Sequence, residues 1–444
     1  MIKDICTLLQ NKKILLLGFG KEGRSTYQFL RKHFPDQVIG IYDKNGIKDT
    51  LVKVEVHEGD TYEDILKDYE IIIKSPGIVL NPEDGEVLSK ITSQTDIFLQ
   101  FYKAQTIGIT GTKGKSTTAS LLYHILQSAG LDSLLVGNIG VPVFDVLEQI
   151  KEGTLVVYEL SSHQLQYVKN APHIGVLLNI YQEHLDHYGT FNKYVAAKEN
   201  IFLYQKEEDI FLYNKEFTNP DKRSKAKGMT ISYNAGDSDI IVESNHILYQ
   251  GNKLEMKEDE ILLKGHHNLY NIAAAYALAK VCGVSDAAFM EAIKTFRPLP
   301  HRLEYVAEIN GVTFYNDSIS TICETTMNGV ISVKNVDTVI LGGMDRGIDY
   351  EPLVDFLVAS EIHNIILMPD TGYRIQKLLI NHEKKPVNKN IIMVTNVEEA
   401  VKAAKKETRN GKTCLFSPAA ASYGFFKNFE ERGEVFKRYV LNQI

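Results

Sequence analysis

Apolar residues in this chain fall in short unbroken runs, and most runs are followed by turn residues and then by a stretch with helical spacing. "KKILLLGFGKEGRSTYQFLRKHF" has this form: a buried strand, a glycine turn, a helix. "QVIGIYD" and "YEIIIKSPGIVL" add two more short strands, so residues 1–100 predict a small doubly wound α/β unit. A second unit starts at the strand "TIGIT" and continues through two further apolar strands, "TLVVYELSS" and "HIGVLLNI". Polar, irregular sequence from about 205 to 262 predicts an antiparallel insert. "HHNLYNIAAAYALAKVCGV" predicts a helix ending at Gly283, and the two prolines of "TFRPLPHRLEYV" suggest a linker. Beyond it "DTVILGG", "HNIILMPD", "NIIMVTN" and "KTCLFSP" alternate with helical stretches as a third α/β unit. The fold class expected is α/β in three domains, 1–100, 101–300 and 301–444.

Length agrees with that division, since 444 residues suggest about three domains at ~150 residues each. A formal charge of −7 leaves no electrostatic footprint for nucleic acid or an anionic membrane. Cys6, Cys282, Cys323 and Cys414 lie far apart, giving neither a disulfide framework nor a zinc site and suiting a reducing compartment. No apolar stretch approaches ~18 residues, and the N-terminus lacks a signal-peptide core. The expectation is a soluble, cytoplasmic protein without nucleic acid or membrane partners.

Candidate chemistry begins with two glycine loops. Gly18, Gly20 and Gly23 of "GFGKEG" follow a strand and open a helix, and Asp43 ends the next strand, where a ribose-binding acid would fall. A nicotinamide cofactor, another nucleotide diphosphate and a plain tight turn all fit this loop, because a helix N-terminus welcomes any phosphate. "GTKGKSTT" is more specific. The longer phosphate-loop template wants glycine at 109, where Ile109 stands, and Gly111 opens a tighter loop instead. Its N–H groups would face phosphate oxygens, Lys115 would reach the terminal phosphates, and the Ser116 hydroxyl suits Mg²⁺.

Polar residues follow the next strands: Glu159, Ser161, Ser162 and Gln164 in "YELSSHQ", then His184, Asp186 and His187 in "NIYQEHLDHY". Ligands of open α/β sheets bind at the carboxyl ends of strands, so these groups should converge near the loop and could hold magnesium. Lys198, fourteen positions after His184, reads as a solvated helix lysine by pattern alone.

Laid in order, the phosphate loop, "GNIGVP", "YELSSHQL", "NIYQEHLDHYGTFNKYVAAKENIF", "GHHNLYNIAAA", "LPHRLEYV", "NDSIST" and "FSPAAASYGFFKNFEERG" resemble the Mur ligases over nearly the whole chain. That resemblance implies a Rossmann-like UDP-binding domain, a central ATPase-like domain and a Rossmann-like domain for the amino acid. It implies ATP and Mg²⁺, an acyl-phosphate intermediate, and addition of glutamate (D-glutamate by family default) to UDP-N-acetylmuramoyl-L-alanine in cytoplasmic peptidoglycan precursor synthesis, by a monomer.

The family's roles carry over where residues match. Gly111, Thr112, Lys113, Gly114, Lys115, Ser116 and Thr117, with Asn268, Asn271, Arg302 and Asp317, would hold ATP. Ser116, Glu159, His184 and Lys198 would hold metal, Lys198 as a carbamate, and Lys115, Lys198 and His184 would be catalytic. Gly18, Gly20, Gly23, Asp43, Ser75, Asn138 and Ser161 would bind the UDP-sugar, and Thr321, Arg346, Ser422 and Phe429 the amino acid. Ile319 departs from the pattern by standing where a lysine is usual. L-glutamate addition, another ligase of the Mur and folylpolyglutamate synthase superfamily, and a catalytically silent nucleotide-binding regulator are the alternatives. A dehydrogenase would explain "GFGKEG" but leave the phosphate loop and both metal-site segments idle.

Overall fold

A computed structural model describes the chain except residues 45, 48, 60–61, 81–84, 219, 221–222, 234–237, 244–245, 257–259, 264–265, 385–387 and 444, and the side chains of 185, 186, 233, 266 and 267. Two compact units result: residues 1–261 with 267–296, and residues 262–266 with 297–444. The division falls at Phe296/Arg297, within the proline-bearing segment.

The first unit holds two sheets. One has five parallel strands in the order Val54–His57, Ile39–Tyr42, Ile14–Leu17, Ile71–Lys74, Ile91–Thr92. Its central strand Ile14–Leu17 is buried at every position, as a strand covered on both faces must be. The second has nine strands, in the order Asn252–Glu255, His246–Tyr249, Ile240–Val242, Lys227–Tyr233, Ile210–Asn214, Ile174–Leu177, Thr106–Thr110, Leu155–Glu159, Ser133–Gly137.

The sequence from 205 to 262 is therefore only partly antiparallel. Ile210–Asn214, Lys227–Tyr233 and Ile240–Val242 extend the parallel sheet, and antiparallel pairing starts at His246–Tyr249. The apolar pair Phe211–Leu212 is buried, and Asp209 just ahead of it is clamped by Lys103 (2.5 Å) and His173 (3.0 Å). Those partners are too distant in sequence for a local reading to find.

The two sheets share one core. Phe29 packs on Phe144 (centroids 5.0 Å apart), Phe98 meets the edge of Tyr158 (5.7 Å), and the buried Tyr158 hydroxyl pairs with Thr95 Oγ1 at 2.9 Å. Burying Phe98 completely contributes about 1.5–3 kcal/mol.

The second unit has one six-stranded sheet, ordered Glu304–Ile309, Val312–Asn316, Thr413–Phe416, Val336–Leu341, Asn364–Leu367, Asn390–Met393. Its first pair is an antiparallel hairpin and the rest is parallel. Asn310 (φ 52°) and Gly311 (φ 76°) make the hairpin turn, the Asn-Gly pair such turns require. The expected linker, 295–306, therefore overlaps the hairpin's first strand, Glu304–Ile309. Among the described residues no helix is long and apolar enough to cross a membrane.

Candidate active site

The buried strand Thr106–Thr110 delivers Gly111 to the loop, and Gly114 caps the helix Lys115–Ser128. Gly114 has φ +85°, and a Cβ there would lie 2.3 Å from Asn271 Oδ1, so glycine is required twice over. Asn179, at the end of the neighbouring strand's run, clamps the loop. Its carbonyl accepts from Thr112 N–H (2.9 Å), its Oδ1 accepts from Lys113 N–H (2.8 Å), and its Nδ2 donates to Lys113 O (3.0 Å). Thr112 Oγ1 pairs with the Tyr194 hydroxyl at 2.9 Å and accepts from Tyr181 N–H at 2.8 Å.

Three lysines meet this loop. Lys115 Nζ curls back to the carbonyls of Gly111 and Thr112, both at 2.9 Å. Lys113 pairs with Glu183. Lys198 is 1% exposed, donates to Gly111 O at 2.7 Å and lies 5.0 Å from the centre of the Tyr194 ring. Burial first, and Lys115 second, hold its pKa well below the ordinary lysine value, against the opposing pull of Glu183 and Glu159. The surface-lysine reading of Lys198 is corrected here. Tyr194, Ala197, Lys198 and Ile201 are all buried at i, i+3, i+4 and i+7 of the helix Phe191–Leu203, so the lysine sits in that helix's apolar stripe.

Glu159 ends its strand fully buried. Its Oε1 accepts from Ser116 Oγ (3.1 Å) and Asn138 Nδ2 (2.9 Å). Its Oε2 is shielded from solvent and has no hydrogen-bond partner among the described residues, and the same holds for Thr117 Oγ1. His184 has φ +56°, and its ring meets His163 (centroids 4.9 Å), which in turn meets His187 (4.3 Å). Burial, then those two neighbours, pushes His163 down to about 3. The Asp186 side chain lies outside the described residues. Behind the loop, Asn271 Oδ1 accepts from Thr118 Oγ1 (3.2 Å), and its Nδ2 donates to Asn268 Oδ1 (2.8 Å).

The first glycine loop is built by close approach. Gly23 comes so near Gly18 that a Cβ would lie 2.3 Å from the Gly18 carbonyl oxygen, and Gly20 caps the helix Lys21–His33. Asp43 Oδ2 accepts from Phe19 N–H at 2.8 Å, and Ser75 Oγ donates to Gly18 O at 2.8 Å. Ser161 forms a capping box with Gln164, whose Nε2 donates to Glu22 Oε1 at 2.7 Å and ties the second sheet's loop to the first.

In the second unit, Asp317 is buried and accepts from Leu303 N–H (3.2 Å), Ser320 Oγ (2.5 Å) and Ser417 Oγ (2.7 Å); burial pushes it up to about 6. The Arg302 backbone N–H donates to Leu299 O at 3.2 Å. Arg346 Nη2 donates to Thr321 O at 3.1 Å. The Phe429 carbonyl accepts from Ser318 Oγ (2.8 Å), and buried Arg432 donates to Ser318 Oγ and O and to Ala420 O. Ser422 and Arg432 line a cavity of about 180 Å³ with Gly342, Gly343, Asn396 and Phe425. Ile319 is half-buried, its N–H donating to His301 O at 3.1 Å. Sequence reasoning missed Asn179, Glu183, Tyr194 and Arg432. Of these, only Asn179 carried a local signal, its place after a buried strand.

The family profile described as Mur ligase middle domain matches residues 109–279. The UDP-N-acetylmuramoylalanine–D-glutamate ligase of Acetivibrio thermocellus is 33% identical over 470 aligned residues, covering 100% of this chain and 99% of its own. Its namesake in Geobacillus kaustophilus is 33% identical over 451, covering 96% and 97%. Among solved structures, UDP-N-acetylmuramate–alanine ligase from Thermotoga maritima superposes with a TM-score of 0.62 at 17% identity, covering 98% of this chain and 100% of that one. MurF from Acinetobacter baumannii gives 0.60 at 14%, covering 97% and 90%. These structures speak for the fold alone, but the curated relatives match from end to end, and the chain belongs to the Mur ligase family.

Proposed function

We propose that this protein is an ATP-dependent ligase that adds D-glutamate to UDP-N-acetylmuramoyl-L-alanine during peptidoglycan precursor synthesis. The observation that carries the reading is the convergence of Lys115, Lys198, Ser116 and Glu159 on one phosphate loop. ATP transfers its γ-phosphoryl group to the alanine carboxylate. The glutamate amine then attacks the carbonyl carbon, and phosphate leaves as the amide forms and the amine gives up its proton. Little covalent work falls to the protein, so its contribution is alignment, charge neutralisation and exclusion of water.

Lys115 leaves the Gly111 and Thr112 carbonyls for the phosphates, while Gly111, Thr112, Lys113, Gly114 and Thr117 shape the loop around them. Asn268, Asn271, Arg302 and Asp317 serve the nucleoside. Lys198, whose burial disfavours the ammonium form, attacks CO₂ through its neutral amine and releases a proton, leaving a carbamate anion.

Magnesium fits this residue set. Glu159 presents a buried oxygen without a hydrogen-bond donor among the described residues, and Mg²⁺ sites take one or two carboxylates plus phosphates and water, so a three-residue cluster is not required. Ser116 and Glu159 would hold a first ion and His184 a second, with carbamylated Lys198 beside the metal, and the ions would neutralise charge on the phosphoryl group. Gly18, Gly20, Gly23, Asp43, Ser75, Asn138 and Ser161 bind the UDP-sugar; Thr321, Arg346, Ser422 and Phe429 bind glutamate. Residues 1–100, 101–300 and 301–444 are the corresponding functional domains. The protein works in the cytoplasm as a monomer, without nucleic acid or membrane partners.

The test is ATP-dependent phosphate release with UDP-N-acetylmuramoyl-L-alanine, offering D- and L-glutamate separately. Release with D-glutamate is expected. Release with L-glutamate alone would move the stereochemical choice to the region of Ile319, and silence with both would overturn the substrate assignment.

A further inference from the structure

Two buried, oppositely charged side chains stand between the glycine loop and the Ser161–Gln164 turn, and neither belongs to the site set out above. Lys74 ends the strand Ile71–Lys74, paired in register with Leu17, the residue before the glycine loop. It is 3% exposed, donates to the carbonyls of Ser75 (3.1 Å) and Pro76 (3.2 Å), and lies 5.6 Å from the centre of the Tyr167 ring. Glu22 lies in the first turn of the helix that follows the loop. Its Oε1 accepts from Gln164, but its Oε2 is shielded from solvent with no hydrogen-bond partner among the described residues.

The two groups feel each other's charge without forming an ion pair among the described residues. Burial, the largest influence on each, pushes Glu22 up to about 7 and Lys74 down to about 8. Fold stability alone would favour closing that contact or replacing it with apolar side chains, because separated buried charges are expensive. The hydrogen-bond capacity can be counted. An ammonium has three N–H donors and Lys74 uses two, leaving one donor; Glu22 Oε2 leaves one acceptor. The complement is a group that accepts on one side and donates on the other. Lys74 also disfavours the charged form of His163, whose ring meets that of His184.

We infer that Lys74 and Glu22 together read an amide group in the sugar and alanyl part of the UDP-sugar substrate, its carbonyl accepting from Lys74 Nζ and its N–H donating to Glu22 Oε2. This rests on the proposed substrate, which carries such amides. Both are positioning residues, remote from the phosphoryl transfer itself.

The experiment compares wild type, Lys74→Met, Glu22→Gln and the double variant. It measures Kd for UDP-N-acetylmuramoyl-L-alanine and for UDP alone, KM for ATP, kcat, and melting temperature. Each single variant should weaken the UDP-sugar at least about tenfold, with UDP affinity and the KM for ATP unchanged within about twofold. The double variant should recover melting temperature, its unpaired charge removed, but not UDP-sugar affinity. Three results overturn the inference: unchanged UDP-sugar affinity in the single variants, an equal loss for UDP alone, which would make Lys74 a diphosphate contact, or full recovery of affinity in the double variant, which would make the pair structural. Wild type that does not bind the UDP-sugar would instead remove the substrate assignment on which the pair depends.

Discussion

Gly114→Ala tests the phosphate loop at its tightest point. An alanine must adopt φ near +85°, and its Cβ must share space with Asn271 Oδ1, 2.3 Å away. The left-handed conformation costs about 1–2 kcal/mol. Displacing the Asn271 carbonyl breaks its bond from Thr118 Oγ1 and leaves that fully buried hydroxyl unpaired, at about 1–3 kcal/mol. The expected loss is about 2–5 kcal/mol, if the two add. Thermal unfolding should be followed through the transition that ATP protects, which reports the unit carrying the loop; that transition should fall by roughly 3–8 °C. A double-mutant cycle with Asn271→Ala separates the two causes. Removing the carbonyl relieves the collision but not the strained backbone, so a coupling of at least about 1 kcal/mol is expected. Coupling below about 0.5 kcal/mol would refute the steric account, and a Gly114→Ala protein with wild-type melting would refute both parts.

Three further outcomes are expected. The pKa of Asp317 is raised in the folded state, from an ordinary 3.8 to about 6, so its stabilising contribution is complete below 3.8 and lost as pH rises through 6. Asp317→Asn should then compare with wild type more favourably at pH 7 than at pH 4, by up to about 3 kcal/mol in urea denaturation, and a pH-independent difference would count against it. Glu159→Gln should raise the Mg²⁺ needed for half-maximal ADP formation at least about tenfold while the protein stays folded, because the amide keeps an oxygen for Ser116 and Asn138 but loses the charge; an unchanged Mg²⁺ titration would remove Glu159 from the metal site. Ile319→Lys should lower the KM for glutamate by about tenfold, as one added charge-assisted hydrogen bond would, and leave the KM for ATP unchanged; a KM for glutamate that does not fall would make Ile319 neutral.

What the sequence disclosed depended on how local the cause was. Strands such as Ile14–Leu17 and Thr106–Thr110 are apolar throughout because both faces are covered, and that is visible in four or five letters. The hairpin at Asn310–Gly311 and the buried register of Lys198 have equally local causes, an Asn-Gly pair and a helical apolar stripe, which the linker prolines and the charge of a lysine mask in the letters. The parallel pairing of Ile210–Asn214, by contrast, is supported by Lys103 and His173 holding Asp209, and the junction of the first glycine loop's helix with the Ser161–Gln164 turn rests on Glu22 meeting Gln164 across 142 positions. No window of sequence contains those contacts.

Buried charged groups are held differently in the second unit and around the phosphate loop. In the second unit, Asp317 receives three hydrogen bonds and Arg432 gives three, so these buried charges hold their surroundings in one arrangement. Around the phosphate loop the opposite holds. Lys198 is buried with a carbonyl for its closest partner, Glu159 keeps one oxygen and Thr117 its hydroxyl without donors or acceptors among the described residues, and His184 adopts a left-handed backbone. Each is unfavourable by itself, by up to about 3 kcal/mol for an unsatisfied polar group. These four lie in the segments that approach a single loop, while other groups unsatisfied among the described residues, such as Arg31 Nε and Gln205 Oε1, lie elsewhere. A bound nucleotide with its cation would satisfy the oxygens, and conversion of Lys198 to an anion would reverse the charge that makes its burial unfavourable. The polar groups left unsatisfied around this loop, Glu159 Oε2 and Thr117 Oγ1, are thus ones that a nucleotide and its cation are equipped to satisfy.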